Sequence, residues 1–373
     1  MKTLFFVFEK IPDPQSGGLI TMYRGLEQLL SDTYNIKIIS VFDCPQENKK
    51  QFNSECIVIN NTHLDTGFLR IVEYLKKVNF IKVWECIISM IKYFIYIPTT
   101  RFKLRKIVNN YDKVLVSCPA AAIFMTKKRK FILEIHSKYE FFWNGNFSSK
   151  LQIKLMTNPS LVLFRNQIDA KKGSVHFPSN YVYNFFDNTG IQFNNDFKKK
   201  RNRFIFIGRY NDDKDPIRLL KIINKMIKKN GDIILDMYGQ GPLEEKIKEY
   251  IQSHKLENNI FLKGYAENKN VYSSYTALLM TSKREGFPLT IIEAKANGVP
   301  TITTIWGDAV VETITDGVDG FIAKDDDEFI EKITILINEE NNLKKLSNNA
   351  YKDFERFTCS CAKKRYVDII ETY

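Results

Sequence analysis

The chain has 373 residues, 44% hydrophobic and 26% charged, which excludes a disordered or fibrous polymer and supplies apolar material for two separately cored domains. Its formal net charge is +12, and the excess is lopsided: residues 1–200 hold 29 Lys and Arg against 16 Asp and Glu, whereas residues 201–373 hold 26 against 27. Six scattered cysteines (Cys44, Cys56, Cys86, Cys118, Cys359, Cys361), with no histidine pair beside them, exclude a zinc pattern and read as reduced thiols of a cytosolic protein.

Thr3 to Phe8 is too short a greasy run for a signal peptide, has no small-residue cleavage site after it, and reads as a first buried strand. The turn Pro12 to Gly18 follows, then a helix to about Leu30. Gly17-Gly18 between first strand and first helix lets backbone approach a ligand closely, although a plain turn would look the same. The glycines do not spell a dinucleotide fingerprint. Ile36 to Val41 and Cys56 to Ile59 read as the next strands. Phe68 to Pro98 is nearly greasy enough for a membrane span, but Lys76, Lys77, Lys82, Glu85 and Lys92 interrupt it. It fits an amphipathic helix in a lipid interface, with lysines toward phosphates and Phe80, Trp84, Ile88 and Tyr93 toward acyl chains, or a helix packed into the core. Between Arg70 and Lys130, 14 basic residues face 3 acidic ones, so an anionic partner is expected there, with lipid head groups preferred to nucleic acid. Lys113 to Ser117 and Phe131 to Ile135 read as strands. His136 alone among four histidines follows a buried strand at its carboxyl end, where cleft residues gather. Leu161 to Phe164 and Ser174 to Phe177 complete a first domain over 1–190. The polar stretch 191–202 reads as a linker.

The second domain, 203–358, opens with the strand Arg203 to Ile207. Gly208, Arg209 and Lys214 follow before a helix, a pattern suited to a pyrophosphate: Arg209 offers a bidentate fork and Lys214 a point charge. Asp213-Lys214-Asp215 spells a metal-binding D-x-D, but its context is wrong for one. Ile233 to Met237 runs into Gly239-Gln240-Gly241, and Asn259 to Lys263 into Gly264-Tyr265. The strongest stretch is Lys283 to Pro300, KREGFPLTIIEAKANGVP, between the strands Thr276 to Thr281 and Val299 to Thr304. Glu285 and Gly286 fall in the turn, and the helix that follows presents free N–H groups to an anion. Glu293 lies within that helix, where a buried acid needs a partner. Helices from about Asp326 and Asn341 follow, and residues 359–373 are expected to cross back to the first domain.

The run Glu285-Gly286-Phe287-Pro288, Glu293-Ala294 and Gly298-Val299-Pro300 resembles the E-x7-E signature of retaining glycosyltransferases of family 4. The resemblance covers nearly the whole chain and is densest from Arg203 to Phe321. It implies an α/β GT-B fold: two Rossmann-like doubly wound domains facing across a cleft. It implies transfer of a sugar from a nucleotide-diphosphate sugar, UDP-sugar favoured, to a glycan or lipid-linked acceptor. Residue by residue, it implies catalytic roles for Glu285, Arg209, Lys214 and His136. Donor binding falls to Gly17, Gly18, Gly208, Gly239, Gly241, Tyr265, Gly286, Phe287, Leu289, Thr290 and Glu293, with no metal and no cofactor. Lys214-Asp215 departs from the family's Lys-Gly, which changes the expected turn but keeps the cation. With the basic first half, the expected setting is cell-surface polysaccharide or teichoic-acid-type synthesis at the inner face of a bacterial plasma membrane. The anionic membrane surface is expected to meet residues 70–130. The rivals are a catalytically silent partner subunit and a sugar-nucleotide epimerase. Nothing in the sequence sets the oligomeric state, the sugar, the base or the linkage.

Overall fold

The computed structural model describes residues 1–13, 18–62, 64, 80–145, 147–191, 193, 202–229, 231–266 and 270–373. The chain divides into two compact units, Met1–Val182 with Lys363–Tyr373, and Tyr183–Ala362. The boundary therefore falls before residue 190. The reason is local: the Tyr183 ring stacks on Phe287 at 5.0 Å, and Asn184 Nδ2 donates to the Phe287 carbonyl at 2.7 Å, so both already belong to the second unit. Most of the expected linker, residues 192 and 194–201, lies outside the described residues.

The first unit carries seven strands: β1 (Thr3–Phe8), β2 (Asn35–Phe42), β3 (Glu55–Asn60), β4 (Lys113–Val116), β5 (Ile132–Glu134), β6 (Leu161–Phe164) and β7 (Ser179–Tyr181). The second carries six: β8 (Arg203–Ile207), β9 (Ile234–Tyr238), β10 (Ile260–Leu262), β11 (Ala277–Met280), β12 (Thr301–Thr304) and β13 (Gly320–Ala323). Every pairing in both sheets is parallel. The orders are β3-β2-β1-β4-β5-β6-β7 and β10-β9-β8-β11-β12-β13, so each unit repeats the doubly wound pattern. Helices cover both faces of such sheets, which is why the strands read as unbroken apolar runs: Phe5 to Phe8 and Phe204 to Phe206 are all buried. Strand order reverses between β1 and β4 and again between β8 and β11. At those points the carboxyl ends of neighbouring strands open a crevice.

One expected strand is absent. Ser174 to Phe177 does not join the sheet, because Ser174 N donates to the Ala170 carbonyl and His176 N to that of Gly173, closing the helix Gln167–Gly173. The strand begins two residues later, at Ser179.

Phe80–Ile107 forms one 28-residue helix, and one face of it packs into the core, as the second of the two readings expects. Cys86, Tyr93, Thr100 and Leu104 are buried, spaced to fall on one stripe. Tyr93 therefore does not join Trp84 and Ile88, as its aromatic character suggests. Its hydroxyl donates to the Ala120 carbonyl at 3.1 Å, and its ring meets Phe42 and Phe124. Residues 68–79 of the same stretch lie outside the described residues.

In the second unit, the helix Leu289–Ala296 ends in a Schellman turn. Gly298 N donates to Lys295 O and Val299 N to Ala294 O, and Gly298 takes φ +63°, which only glycine adopts without strain. Lys295, 1% exposed, bonds Asp319 at 2.9 Å and Asp353 at 2.7 Å, and Arg356 grips Asp353 from the other side. Burial pushes the Asp319 carboxyl up against the pull of Lys295. Burial also pushes Asp353 up, but its bonds to Arg356 and Lys295 outweigh it and hold the group below the usual carboxylate range. Removing the lysine would leave a buried carboxylate uncompensated. Lys295→Met is expected to destabilise the second unit by about 3–5 kcal/mol, and Asp319→Asn added to it to recover part of the loss. Urea unfolding of the four chains of this double-mutant cycle checks it; purely additive losses would refute the coupling.

Candidate functional site

The crevice between β8 and β11 gathers most of the residues singled out by sequence. After β8, Gly208 turns the chain and Arg209 projects, exposed and with no side-chain partner among the described residues. The Gly239–Gly241 turn after β9 presses on this segment: a Cβ on Gly239, at φ +144°, would stand 2.0 Å from the Gly208 carbonyl oxygen. Gly208 N donates to Tyr238 O, Tyr210 N to Gln240 O, and Gly239 N to Gly264 O. Tyr265 beyond it is exposed.

Asp215 then caps the helix Pro216–Ile227, its carboxylate accepting from Arg218 N at 3.3 Å. It takes φ +45°, the left-handed region that a glycine fills freely and that Asp tolerates through local hydrogen bonding. The residue that departs from Lys-Gly thus makes a left-handed turn and caps the helix.

The loop after β11 is bolted to this one. Thr281 Oγ1 donates to Asp215 O at 2.9 Å and Lys283 N to Asp213 O at 2.7 Å. Lys214 Nζ meets Glu285 Oε1 at 2.6 Å, and Ser282 Oγ donates to the same oxygen at 2.6 Å. Arg284 holds Asp213 at 2.8 Å and Lys283 holds Asp215 at 3.0 Å, so both acids of the D-x-D are engaged with cations. Among the described residues, no group of three or more His, Cys, Asp or Glu is placed to hold a metal. Gly286, Phe287 and Pro288 lead into the helix Leu289–Ala296. Pro288 gives no side-chain cap, which leaves the first-turn N–H groups of Leu289 and Thr290 for an anion.

Glu293 lies one turn further in. Tyr272 donates to its Oε2 at 2.6 Å, and Oε1 has no partner among the described residues. Burial raises its pKa, partly offset by the tyrosine. Its partner, which a buried acid in this helix requires, is thus a tyrosine hydroxyl.

The first unit holds a separate cluster that sequence reasoning missed except for one member. Glu134 at the end of β5 is fully buried. It accepts from Arg165 and from Tyr23, and from the Tyr366 hydroxyl at 2.9 Å. Arg165 also bonds Tyr366 at 2.5 Å and donates from Nε to His136 Nδ1 at 3.2 Å. Burial works to lower the Arg165 pKa, but Glu134 raises it overall, and burial with the Glu134 charge raises Tyr23. A lone Glu in the run Phe131 to Ile135, and a lone Arg after Leu161 to Phe164, were the available signals. His136 lines a cavity of about 310 Å³ with Leu19, Ser117, Cys118, Phe141 and Gln152, at the carboxyl ends of β4 and β5. Gly18 opens the helix Gly18–Leu30 next to Leu19, and Gly17 lies outside the described residues.

Residues 187–353 match the family model of glycosyl transferases group 1. The poly(glycerol-phosphate) alpha-glucosyltransferase of Bacillus subtilis is 33% identical over 159 residues, 41% of this chain and 23% of that one. A Campylobacter jejuni alpha-1,4-N-acetyl-D-galactosaminyltransferase acting on a diNAcBac-PP-undecaprenol glycan is 30% identical over 186 residues, 48% and 50% of the two chains. The chain thus spans half or less of the length of these curated relatives. Staphylococcus aureus TarM, in a crystal structure with fondaparinux, alpha-GlcNAc-glycerol and UDP, superposes with a TM-score of 0.75 at 13% identity, covering 99% of this chain and 100% of that one. Anabaena HepE with UDP and glucose gives 0.73 at 15% identity, with full coverage of both chains. The chain has the GT-B fold of these structures.

Burial, then the Arg165 charge, lowers the His136 pKa well below its usual value, so the ring is neutral in the folded state. The folded pKa lies below the unfolded one near 6.5, so protonation favours unfolding. Stability from this group is complete above about pH 6.5 and falls as pH drops, by at most about 1.4 kcal/mol per unit. Melting curves from pH 7.5 to 5 should show the wild type losing stability faster than His136→Asn; parallel curves would refute the assignment.

Proposed function

We propose that this chain is a retaining glycosyltransferase that moves a sugar from a UDP-sugar to a glycan or lipid-linked acceptor in cell-surface polymer synthesis. The observation that carries the reading is the crevice between β8 and β11, where Arg209, without a side-chain partner among the described residues, converges with Lys214 and a helix N-terminus that has no side-chain cap. A departing nucleoside diphosphate develops negative charge, and these groups supply fixed positive partners for it without a metal. The match over 187–353 and the UDP held by neighbours of the same fold support the donor class.

In this reading Arg209 takes phosphate oxygens in bidentate fashion and Lys214 shares its charge between Glu285 and the diphosphate. Gly208, Gly239 and Gly241 let backbone reach the nucleotide, and Gly264-Tyr265 borders the base. The backbone from Gly286 through Phe287 to Leu289 and Thr290 meets the phosphates. Glu293 offers Oε1 to ribose hydroxyls. Glu285, held at one oxygen by Lys214 and Ser282, orients sugar hydroxyls or supports charge at the anomeric carbon. In a front-face transfer the bond from the anomeric carbon to phosphate breaks and that to the acceptor oxygen forms on the same side. The acceptor's proton passes to the leaving phosphate. His136, a neutral ring whose two nitrogens lie 3.2 and 3.3 Å from the Arg165 guanidinium, borders the sugar. The Gly17-Gly18 loop contacts the acceptor and the donor phosphate. The relatives named for wall and capsule polymers favour the inner face of the plasma membrane as the setting.

UDP at a hundred times its dissociation constant should raise stability by about 2.7 kcal/mol. Arg209→Ala should weaken binding by about 10- to 100-fold, the equivalent of one or two charged hydrogen bonds. Thermal shifts with UDP, GDP and ADP read both, and activity should persist in EDTA. No shift with any nucleotide favours a silent partner subunit; turnover of a UDP-sugar without acceptor favours an epimerase. An inverted anomeric product would refute retention.

A further inference from the structure

The helix Phe80–Ile107 has a second apolar face, unused by the core. Ile81, Trp84, Ile88, Ile91, Ile95 and Phe102 are exposed, Trp84 at 64% and Phe102 at 60%. At 100° per residue they lie within one stripe, opposite the buried stripe of Cys86, Tyr93, Thr100 and Leu104. A continuous apolar stripe of this kind on a folded surface marks an interaction site. No helix among the described residues is long and apolar enough to cross a membrane, so the stripe is a surface feature.

Its rim is basic. Lys92, Arg105 and Lys106 are exposed on the same helix, with Lys106 lying 4.4 Å over the Phe102 ring. Arg129 Nη2 donates to the Arg105 carbonyl at 3.2 Å, which anchors the exposed Lys127, Lys128 and Lys130 beside the end of the stripe. The one acid on the exposed side, Glu85, pairs with Lys82 at 2.8 Å. Arg101 and Lys103 are not part of this rim: they bond Ile123 O at 2.7 Å and Ile59 O at 3.0 Å within the unit.

We infer that this face docks on an anionic lipid bilayer, with Trp84, the isoleucines and Phe102 in the head-group boundary and the basic rim on lipid phosphates. Charge decides between this and the other natural occupant, a second copy of the helix. Two copies packed along the stripe would bring their basic rims together, and like charges flanking a helix seam destabilise it. An anionic surface neutralises the same rim and attracts it. Tryptophan and aliphatic residues beside lysines are also the composition of helices lying in a lipid interface. The inference stands on the first unit's surface and is independent of the transferase reading.

The test is co-sedimentation of the full chain with vesicles of phosphatidylglycerol in phosphatidylcholine, against phosphatidylcholine alone, at low and high salt. Binding is expected only with the anionic lipid and should weaken with salt. The variant Trp84→Ser/Ile88→Ser/Ile95→Ser should lose at least tenfold in partition with an unchanged melting temperature, because all three side chains are exposed. Lys127→Glu/Lys128→Glu/Lys130→Glu should lose the lipid preference. A blue shift of tryptophan emission on adding vesicles, absent in Trp84→Phe, reports insertion even if the triple variant folds poorly. Absence of binding at low salt, or binding unchanged by either triple variant, overturns the inference. So does a lipid-free dimer that the serine variant abolishes, which would give the face to a second copy.

Discussion

The contact on which the candidate site depends is the ion pair of Lys214 with Glu285. It joins loops from two strands that are neighbours only because β8 and β11 pair in parallel, with Ala277 beside Phe204 and Leu278 beside Ile205. The pair is largely out of water, Glu285 at 9% and Lys214 at 22% exposure, so it is screened less than a surface bridge. Ser282 fills the same carboxylate oxygen, and Thr281 and Lys283 hold the opposite backbone. The two loops therefore arrive at the crevice already fixed. The electrostatic result is asymmetric. Lys214 is balanced by Glu285, whereas Arg209 has no side-chain partner among the described residues.

The first unit solves a different problem. Glu134 is a buried charge inside a parallel sheet, a situation that costs several kcal/mol unless the partners are well placed. Arg165, Tyr23 and Tyr366 meet that need from three separate elements, Tyr366 from the last helix. His136 inherits its state from this arrangement. Burial first, and then the guanidinium beside it, keep the imidazole uncharged, so the ring at the cavity is a neutral hydrogen-bonding group.

Much of this was legible in the sequence, for physical reasons. Parallel strands buried on both faces give uniform apolar runs, and Thr3 to Phe8 and Arg203 to Ile207 are strands over those same residues. The second-unit site was legible because its parts are local: a glycine, a cation or an acid within a few positions of a strand end. Glu134, Arg165 and Tyr366 were not, because 31 and 201 residues separate the pairs, and no local pattern encodes such a meeting. Tyr93 was misplaced because a helix apolar on two faces leaves composition unable to say which face is inward. At Asp215 the residue type pointed away from glycine, whereas the backbone there requires only a residue that accepts positive φ.

The packing around Phe287 bears on how large a self-sufficient second module must be. The family match spans 187–353, yet Tyr183 and Asn184, which stack on and bond to Phe287, precede it. Phe354 and Phe357, which pack with Phe287, Ile292 and Ala296, follow it, as does Arg356 on Asp353. A fragment cut at the limits of sequence similarity would strip both sides from the wall behind the helix carrying Glu293. Its boundary would expose aromatic surface and leave Asp353 with Lys295 alone. Recognisable sequence and autonomous folding thus end at different residues in this chain, and excision for independent expression has to follow the aromatic wall.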